Sequence, residues 1–144
     1  MKVINKKLGN DFEQELCEVF SAHGYWVHNF ASKKTGQPAD IIAVKKCVAY
    51  LIDAKECTKD IFKLSRVEEN QKNAMDLWLD CGNTLPCFAL NTSKGVYMVS
   101  YSTIKELMHK GKKQLSIEDI NKYGARLETW LRIWGELICR LMKQ

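Results

Sequence analysis

Apolar residues recur along the chain in two rhythms, one of about 3.6 residues and one of 2, and their alternation defines the elements. Phe12, Leu16, Val19 and Phe20 fall at helical spacing and stop before Gly24, which predicts an amphipathic helix over about residues 8–23. Residues 25–30 then read as a strand, and 31–37 as a polar loop. Two apolar runs, 40–44 and 48–55, flank Lys45, Lys46 and Cys47 and predict a β-hairpin. Val67, Gln71, Ala74, Met75 and Trp78 share one face of a second helix that ends near Gly82. Residues 87–90 and 96–100 are two further strands around a turn at 91–95. A third helix is predicted from Thr103, which has capping-box spacing to Glu106, as far as Gly111. The tail, about 127–142, is amphipathic, with Leu127, Trp130, Leu131, Trp134, Leu137, Ile138 and Leu141 in one stripe. That stripe can complete a core or form a dimer face. The order of elements describes a mixed sheet flanked by helices, an α/β or α+β fold in which the second and third strands are joined by a hairpin and not a crossover.

Composition narrows the class of protein. With 144 residues, 46% hydrophobic, only 2 prolines and 8 glycines, the chain is neither disordered nor fibrous. No linker or repeat divides it, so one domain is expected over residues 1–144, with a core at about 5–100 and a helical tail at about 102–144. A chain of this length buries enough surface to need no disulfide or structural metal. The excess of 22 basic over 17 acidic residues leaves a net charge of +5, spread over both halves, which permits a polyanionic partner without selecting one. Cys17, Cys47, Cys57, Cys81, Cys87 and Cys139 form no C-x-x-C pair, and His23, His28 and His109 are not spaced with them as a zinc site requires. Free thiols are expected. The first ten residues are polar and basic and no run approaches the ~20 apolar residues of a membrane span, so a cytoplasmic protein without a membrane partner is predicted.

The hairpin has a chemical consequence. Closed symmetrically at Lys46 and Cys47, it sets Asp40 opposite Asp53, with Cβ atoms about 5 Å apart, where like charges destabilise a strand pair. Lys55, two residues beyond Asp53, lies on the same face about 7 Å further along. Two carboxylates and a lysine therefore converge. They can hold an oxygen-seeking cation such as Mg²⁺ or Mn²⁺ beside an ammonium that orients water or stabilises phosphate charge. They can equally be a wet sheet face with an Asp53–Lys55 ion pair, although Ile41, Ile42, Leu51 and Ile52 mark both strands as interior.

Three further features point toward the same place. Glu13 borders the buried stripe of the first helix, with Gly9 one turn earlier leaving room for a ligand, whereas Glu15 and Glu18 lie on the solvated side. Gln71 sits on the apolar stripe of the second helix, where a buried amide needs partners from the sheet or from a bound water and phosphate. In the loop before Asp40, Ser32, Lys33 and Lys34 offer a hydroxyl and two cations suited to phosphate.

Taken together, Gly9 and Glu13 on a first helix, Gly24 and Tyr25 before a strand, Ser32, Lys33, Lys34, then Pro38-Ala39-Asp40, Asp53-Ala54-Lys55 and the following Gln71 resemble the PD-(D/E)xK nuclease superfamily. Within it, residues 5–82 are most similar to Holliday junction resolvases of the archaeal Hjc type and their bacterial and phage RecU-like relatives. The resemblance implies a restriction-endonuclease-like mixed sheet flanked by helices and a Mg²⁺- or Mn²⁺-dependent endodeoxyribonuclease that acts on four-way junctions as a homodimer, in a bacterial cell or a phage-infected host. It implies that Asp40 and Asp53 bind the metal, that Glu13 is a further acidic ligand, and that Lys55 works on the attacking water or the scissile phosphate. It implies too that Ser32, Lys33, Lys34 and Gln71 contact DNA. The D/E-x-K position holds Asp53 where Glu is commoner, one methylene shorter with the carboxylate kept. A repair or restriction-like endonuclease on duplex or flapped DNA, and a DNA-binding module without activity, are the alternatives.

Overall fold

A computed structural model describes residues 2–30, 39–84 and 86–141, and the side chains of 11–30, 39–84, 86–137 and 140. Helix α1 (Lys2–Ala22) leads into strand β1 (Trp26–Asn29), followed by β2 (Ile41–Lys45) and the long β3 (Val48–Glu56). A short 3-10 turn, β4 (Phe62–Lys63) and a second 3-10 turn precede α2 (Glu69–Asp80). Strands β5 (Cys87–Thr92) and β6 (Gly95–Ser100), helix α3 (Tyr101–His109), β7 (Gln114–Leu115), α4 (Ile117–Tyr123), β8 (Ala125–Arg126) and α5 (Leu127–Leu141) complete the described chain.

Six strands form one mixed sheet in the order β1-β2-β3-β5-β6-β8, and β4 pairs with β7 in a separate two-stranded ribbon. Only β3 and β5 run parallel, because α2 carries the chain back between them; the other pairs in the main sheet are antiparallel. The predicted mixed sheet flanked by helices is therefore what forms.

Alternation along the strands sends side chains into two cores. Leu51, Phe88 and Leu90 face α2, α3 and α4, together with Phe62, Met75, Val99, Tyr101 and Ile104. On the opposite face Tyr50, Ile52, Cys87 and Ala89 meet Phe12, Leu16 and Phe20 of α1 and Leu127, Trp130 and Leu131 of α5. Each such fully buried large side chain contributes roughly 1.5–3 kcal/mol. The first part of the tail stripe, Leu127, Trp130 and Leu131, thus completes the core, with the Trp130 ring 5.0 Å from Tyr50 and 5.8 Å from Phe20, both edge-on; Leu137 is exposed, and the side chains of Ile138 and Leu141 lie outside the described residues.

Several local expectations shift. α1 begins at Lys2, six residues before the predicted start at Leu8; no proline interrupts this stretch, and Asn5 lies inside the helix and does not cap it. The strand after α2 runs on to Thr92 and the predicted five-residue turn shortens to Ser93 and Lys94. Helix α3 is capped by Ser100, not Thr103: the Ser100 hydroxyl accepts from the Thr103 amide at 3.2 Å, and Glu106 pairs instead with Lys110 at 2.6 Å. Helix α4, held by a reciprocal Ser116–Asp119 capping box, carries a sequence signal that the apolar pattern overshadowed. The two-residue strands β4, β7 and β8 are too short for any period to show.

The cysteines Cys17, Cys47, Cys57, Cys81 and Cys87 are free thiols, as expected. Among the described residues no helix is long and apolar enough to cross a membrane.

Candidate active site

The hairpin of β2 and β3 closes as expected. Lys46 and Cys47 both have positive φ, 49° and 65°, as a two-residue type I′ turn demands, and Lys45 pairs with Val48. The ladder runs to Ile41 opposite Ile52, so Asp40 and Asp53 are the next residues out on one face of the sheet. Asp40 ends the ladder with its side chain: its Oδ2 accepts from the Ala54 amide at 2.8 Å, while its own amide donates to the Ile52 carbonyl at 3.2 Å. The backbone group that β2 no longer reaches is thus satisfied by a carboxylate.

Asp53 is only 1% exposed. Two donors hold it. Lys55 curls back along the strand to put Nζ 2.9 Å from Oδ2, and Gln71 of α2 donates from Nε2 to Oδ1 at 2.8 Å. The Lys55 ammonium is the group that faces the buried Oδ2, as a close ion pair. Burial pushes the Asp53 carboxyl above its ordinary range, with the neighbouring Asp40 as the next cause and Lys55 opposing. Gln71 is itself buried, and its Oε1 accepts from the Glu68 amide at 3.3 Å in the capping box that starts α2. The partners required of this amide come from the sheet and the helix end.

Glu13 approaches from α1. It is half-buried, while Glu15 and Glu18 are exposed. Its carboxyl is pushed up to about 7, first by burial and then by the charge of Asp40, with Lys55 drawing it down. Gly9 lies in α1, and its surroundings fall outside the described residues, as do Ser32, Lys33 and Lys34.

These groups line one cleft of about 850 Å³. Its floor carries Glu13, Asp40, Asp53, Lys55 and Gln71, and its walls include Glu56, Lys59, Lys63 and Arg66, none of which the sequence singled out. The signal for the basic wall was misleading, because Lys59, Lys63 and Arg66 are spaced four and three apart as on a helix, while the segment folds as 3-10 turns around the two-residue β4. Among the described residues Glu13, Asp40 and Asp53 do not form a closed ligand set; Lys55 stands against Asp53 instead. The donor chemistry nevertheless suits a hard cation: carboxylate oxygens from three residues, with the carboxyls of Glu13 and Asp53 raised first by burial and then by the charge of Asp40. Asp40, Asp53 and Lys55 are thus brought together with Gln71 as a second support, and Glu13 joins from a separate helix.

No curated protein matches the chain in sequence. Among solved structures, the chain is similar to Hjc, a Holliday junction resolvase from the archaeal hyperthermophile Archaeoglobus fulgidus. The two share 16% identity with a TM-score of 0.65, over 85% of this chain and 99% of that one. The fold is therefore of the PD-(D/E)xK type. The family model described as Recombination protein U matches residues 25–136, from β1 through most of α5 and across both aspartates and Lys55. On that match the chain belongs to the Recombination protein U family, whose members are Holliday junction resolvases.

Proposed function

We propose that the cleft is a Mg²⁺- or Mn²⁺-dependent endonuclease site in which Asp40 and Asp53 bind the metal, Glu13 adds a third acidic group, and Lys55 serves the attacking water and the scissile phosphate. The observation that carries this reading is Asp53: a carboxylate only 1% exposed, beside the second carboxylate of Asp40, with the Lys55 ammonium 2.9 Å from its Oδ2 as the one cation facing it among the described residues. The Ala54 contact of Asp40 needs only an acceptor oxygen, which an uncharged side chain could supply, so a charge there, which raises the cost of ionising Asp53, has no structural gain. When bound, a divalent cation supplies Lewis acidity at the phosphate and stabilises charge on its oxygens.

The protein's own groups do the rest. Gln71 fixes the orientation of Asp53 through its Nε2, and Ala54 fixes Asp40 through its amide. The Lys55 ammonium, held at the same face, hydrogen-bonds water and offsets negative charge as it develops in an in-line displacement. Glu13, brought to the cleft by α1, adds a third carboxylate that would face the cation or a water beside it. Ser32, Lys33 and Lys34 precede Asp40 and are assigned to the DNA phosphates, with Gln71 at the cleft floor.

A four-way junction is two-fold symmetric, and paired cuts require two sites, so the protein acts as a homodimer. An apolar face supports this. Trp26 of edge strand β1 is 64% exposed and Leu77 of α2 is 63% exposed, and near them Phe30, Ile42, Leu51 and Trp78 line an apolar hollow of about 330 Å³. Such a protein works on DNA in the cytoplasm of a bacterial cell or phage-infected host. The decisive experiment compares cleavage of a synthetic four-way junction with that of a linear duplex of the same sequence, with and without Mg²⁺. Cleavage is expected only of the junction and only with the metal. Equal rates on both substrates would leave a general nuclease, and no cleavage at all would leave a binding module.

A further inference from the structure

Just beyond Lys55 the backbone turns through two successive non-glycine residues in the left-handed region, Lys59 (φ 58°, ψ 24°) and Asp60 (φ 56°). Side chains other than those of Gly, Asn and Asp rarely adopt it, and where they do, the surroundings must impose it. Here the Asp60 carboxylate accepts from the Ser93 amide at 2.7 Å and, in a shorter contact, from the Ser93 hydroxyl, which ties the turn to the β5–β6 connection. Upstream, the Cys57 amide donates to the Asn91 carbonyl at 2.9 Å, and the Asn91 side chain donates to both oxygens of Glu56 at 3.1 Å. The segment is therefore pinned at two points along β5 and its turn.

What the clamp displays is Lys59. It is exposed and lines the wall of the active-site cleft near Ser93 and Lys63. Among the described residues neither the Lys59 nor the Lys63 side chain makes an ion pair or hydrogen bond, whereas the Arg66 side chain donates to the Glu56 carbonyl at 2.6 Å. Lys46 and Cys47 also take positive φ, but their turn only joins two paired strands; the Lys59–Asp60 turn is instead tied to another loop by a carboxylate whose charge opposes DNA, and it carries its lysine at the wall of the cleft. A cation kept in a fixed place beside the cleft accounts for both features.

We infer that Asp60 and Ser93 are positioning residues that hold Lys59 against a backbone phosphate of the DNA strand in the cleft. The inference rests on the nuclease reading of that cleft and adds a contact to it. The test is junction binding in EDTA, where no metal is present to support cleavage, followed by fluorescence anisotropy between about 50 and 200 mM salt. Wild type is compared with Lys59→Gln, Asp60→Ala, Ser93→Ala and the Lys59→Gln/Asp60→Ala double variant. Lys59→Gln is expected to weaken binding and to lower the salt slope by about 1. Asp60→Ala is expected to do the same, although it removes a negative charge, and the double variant to bind no more weakly than Lys59→Gln. Ser93→Ala, which keeps the amide bond to Asp60, should weaken binding by a smaller factor; it decides the point if Asp60→Ala fails to fold by thermal melting. Tighter binding by Asp60→Ala, or an unchanged slope in Lys59→Gln, overturns the clamp. Wild-type protein that binds no junction overturns the nuclease reading instead.

Discussion

Gln71 joins two structural tasks in one side chain: its Oε1 completes the cap of α2 at the Glu68 amide, and its Nε2, 2.8 Å from Asp53 Oδ1, orients the buried carboxylate. The start of α2 is thereby tied to the active-site strand. A carboxylate with two nearly equivalent oxygens is otherwise free to rotate, and the amide removes that freedom from one of them.

Gln71→Ala should therefore lower cleavage by roughly 10–100-fold and shift the metal requirement to higher concentration. Gln71→Glu keeps the acceptor of the cap but places a third negative charge against Asp53, and is expected to lose more. Cleavage rates over a Mg²⁺ titration report both. An unaltered metal dependence in Gln71→Ala would show that Asp53 needs no such support.

Asp40→Asn keeps the side-chain oxygen that the Ala54 amide uses, so the hairpin end survives while the charge is lost. Cleavage should be abolished and junction binding retained, measured by gel shift and cleavage assay on the same preparation. A variant that cuts at the wild-type rate would remove Asp40 from the site.

The raised carboxyls give the metal-free protein a pH dependence of definite sign. Glu13 moves from 4.5 to about 7, and Asp53 moves in the same direction. Each binds its proton more tightly folded than unfolded, so the associated stability is present below the unfolded value and is lost as pH rises toward 7. In EDTA, the Tm of Asp53→Asn should exceed that of wild type by a margin that grows from pH 5 to pH 8. Mg²⁺ should raise the wild-type Tm more at pH 8 than at pH 6, because cation and proton compete for the same oxygens. A margin that shrinks with pH would mean the two carboxyls are not raised.

The exposed apolar face yields a prediction about assembly. Wild type is expected to sediment as a dimer; Leu77→Glu puts a charge on a position that is 63% exposed, so it should fold normally and sediment as a monomer. The monomer should still nick a junction but fail to make paired cuts. A dimer that persists in Leu77→Glu places the two-fold contact on another surface.

Much of the site can be read along the chain because a hairpin is a local device. Once Lys46 and Cys47 form the turn, strand periodicity alone puts Asp40 across from Asp53 and Lys55 on their face, and helical periodicity sets Glu13 at the border of the α1 stripe. The pattern likewise determined the order of the main elements and the inward face of α5. What periodicity cannot carry is any contact between segments that are distant in sequence. That Gln71 reaches Asp53 depends on how α2 crosses back over the sheet between β3 and β5, and that Asp60 meets Ser93 depends on two loops arriving at one end of that sheet. The basic wall of Lys59, Lys63 and Arg66 was hidden for the same reason: its residues share no face of any element and become neighbours only when the turns around β4 fold over the cleft. Residue types and local spacing thus supply the acids and the lysine of the site, while burial, which raises the proton affinity of Glu13 and Asp53, arises only when α1, α2 and the turns around β4 close over the strands.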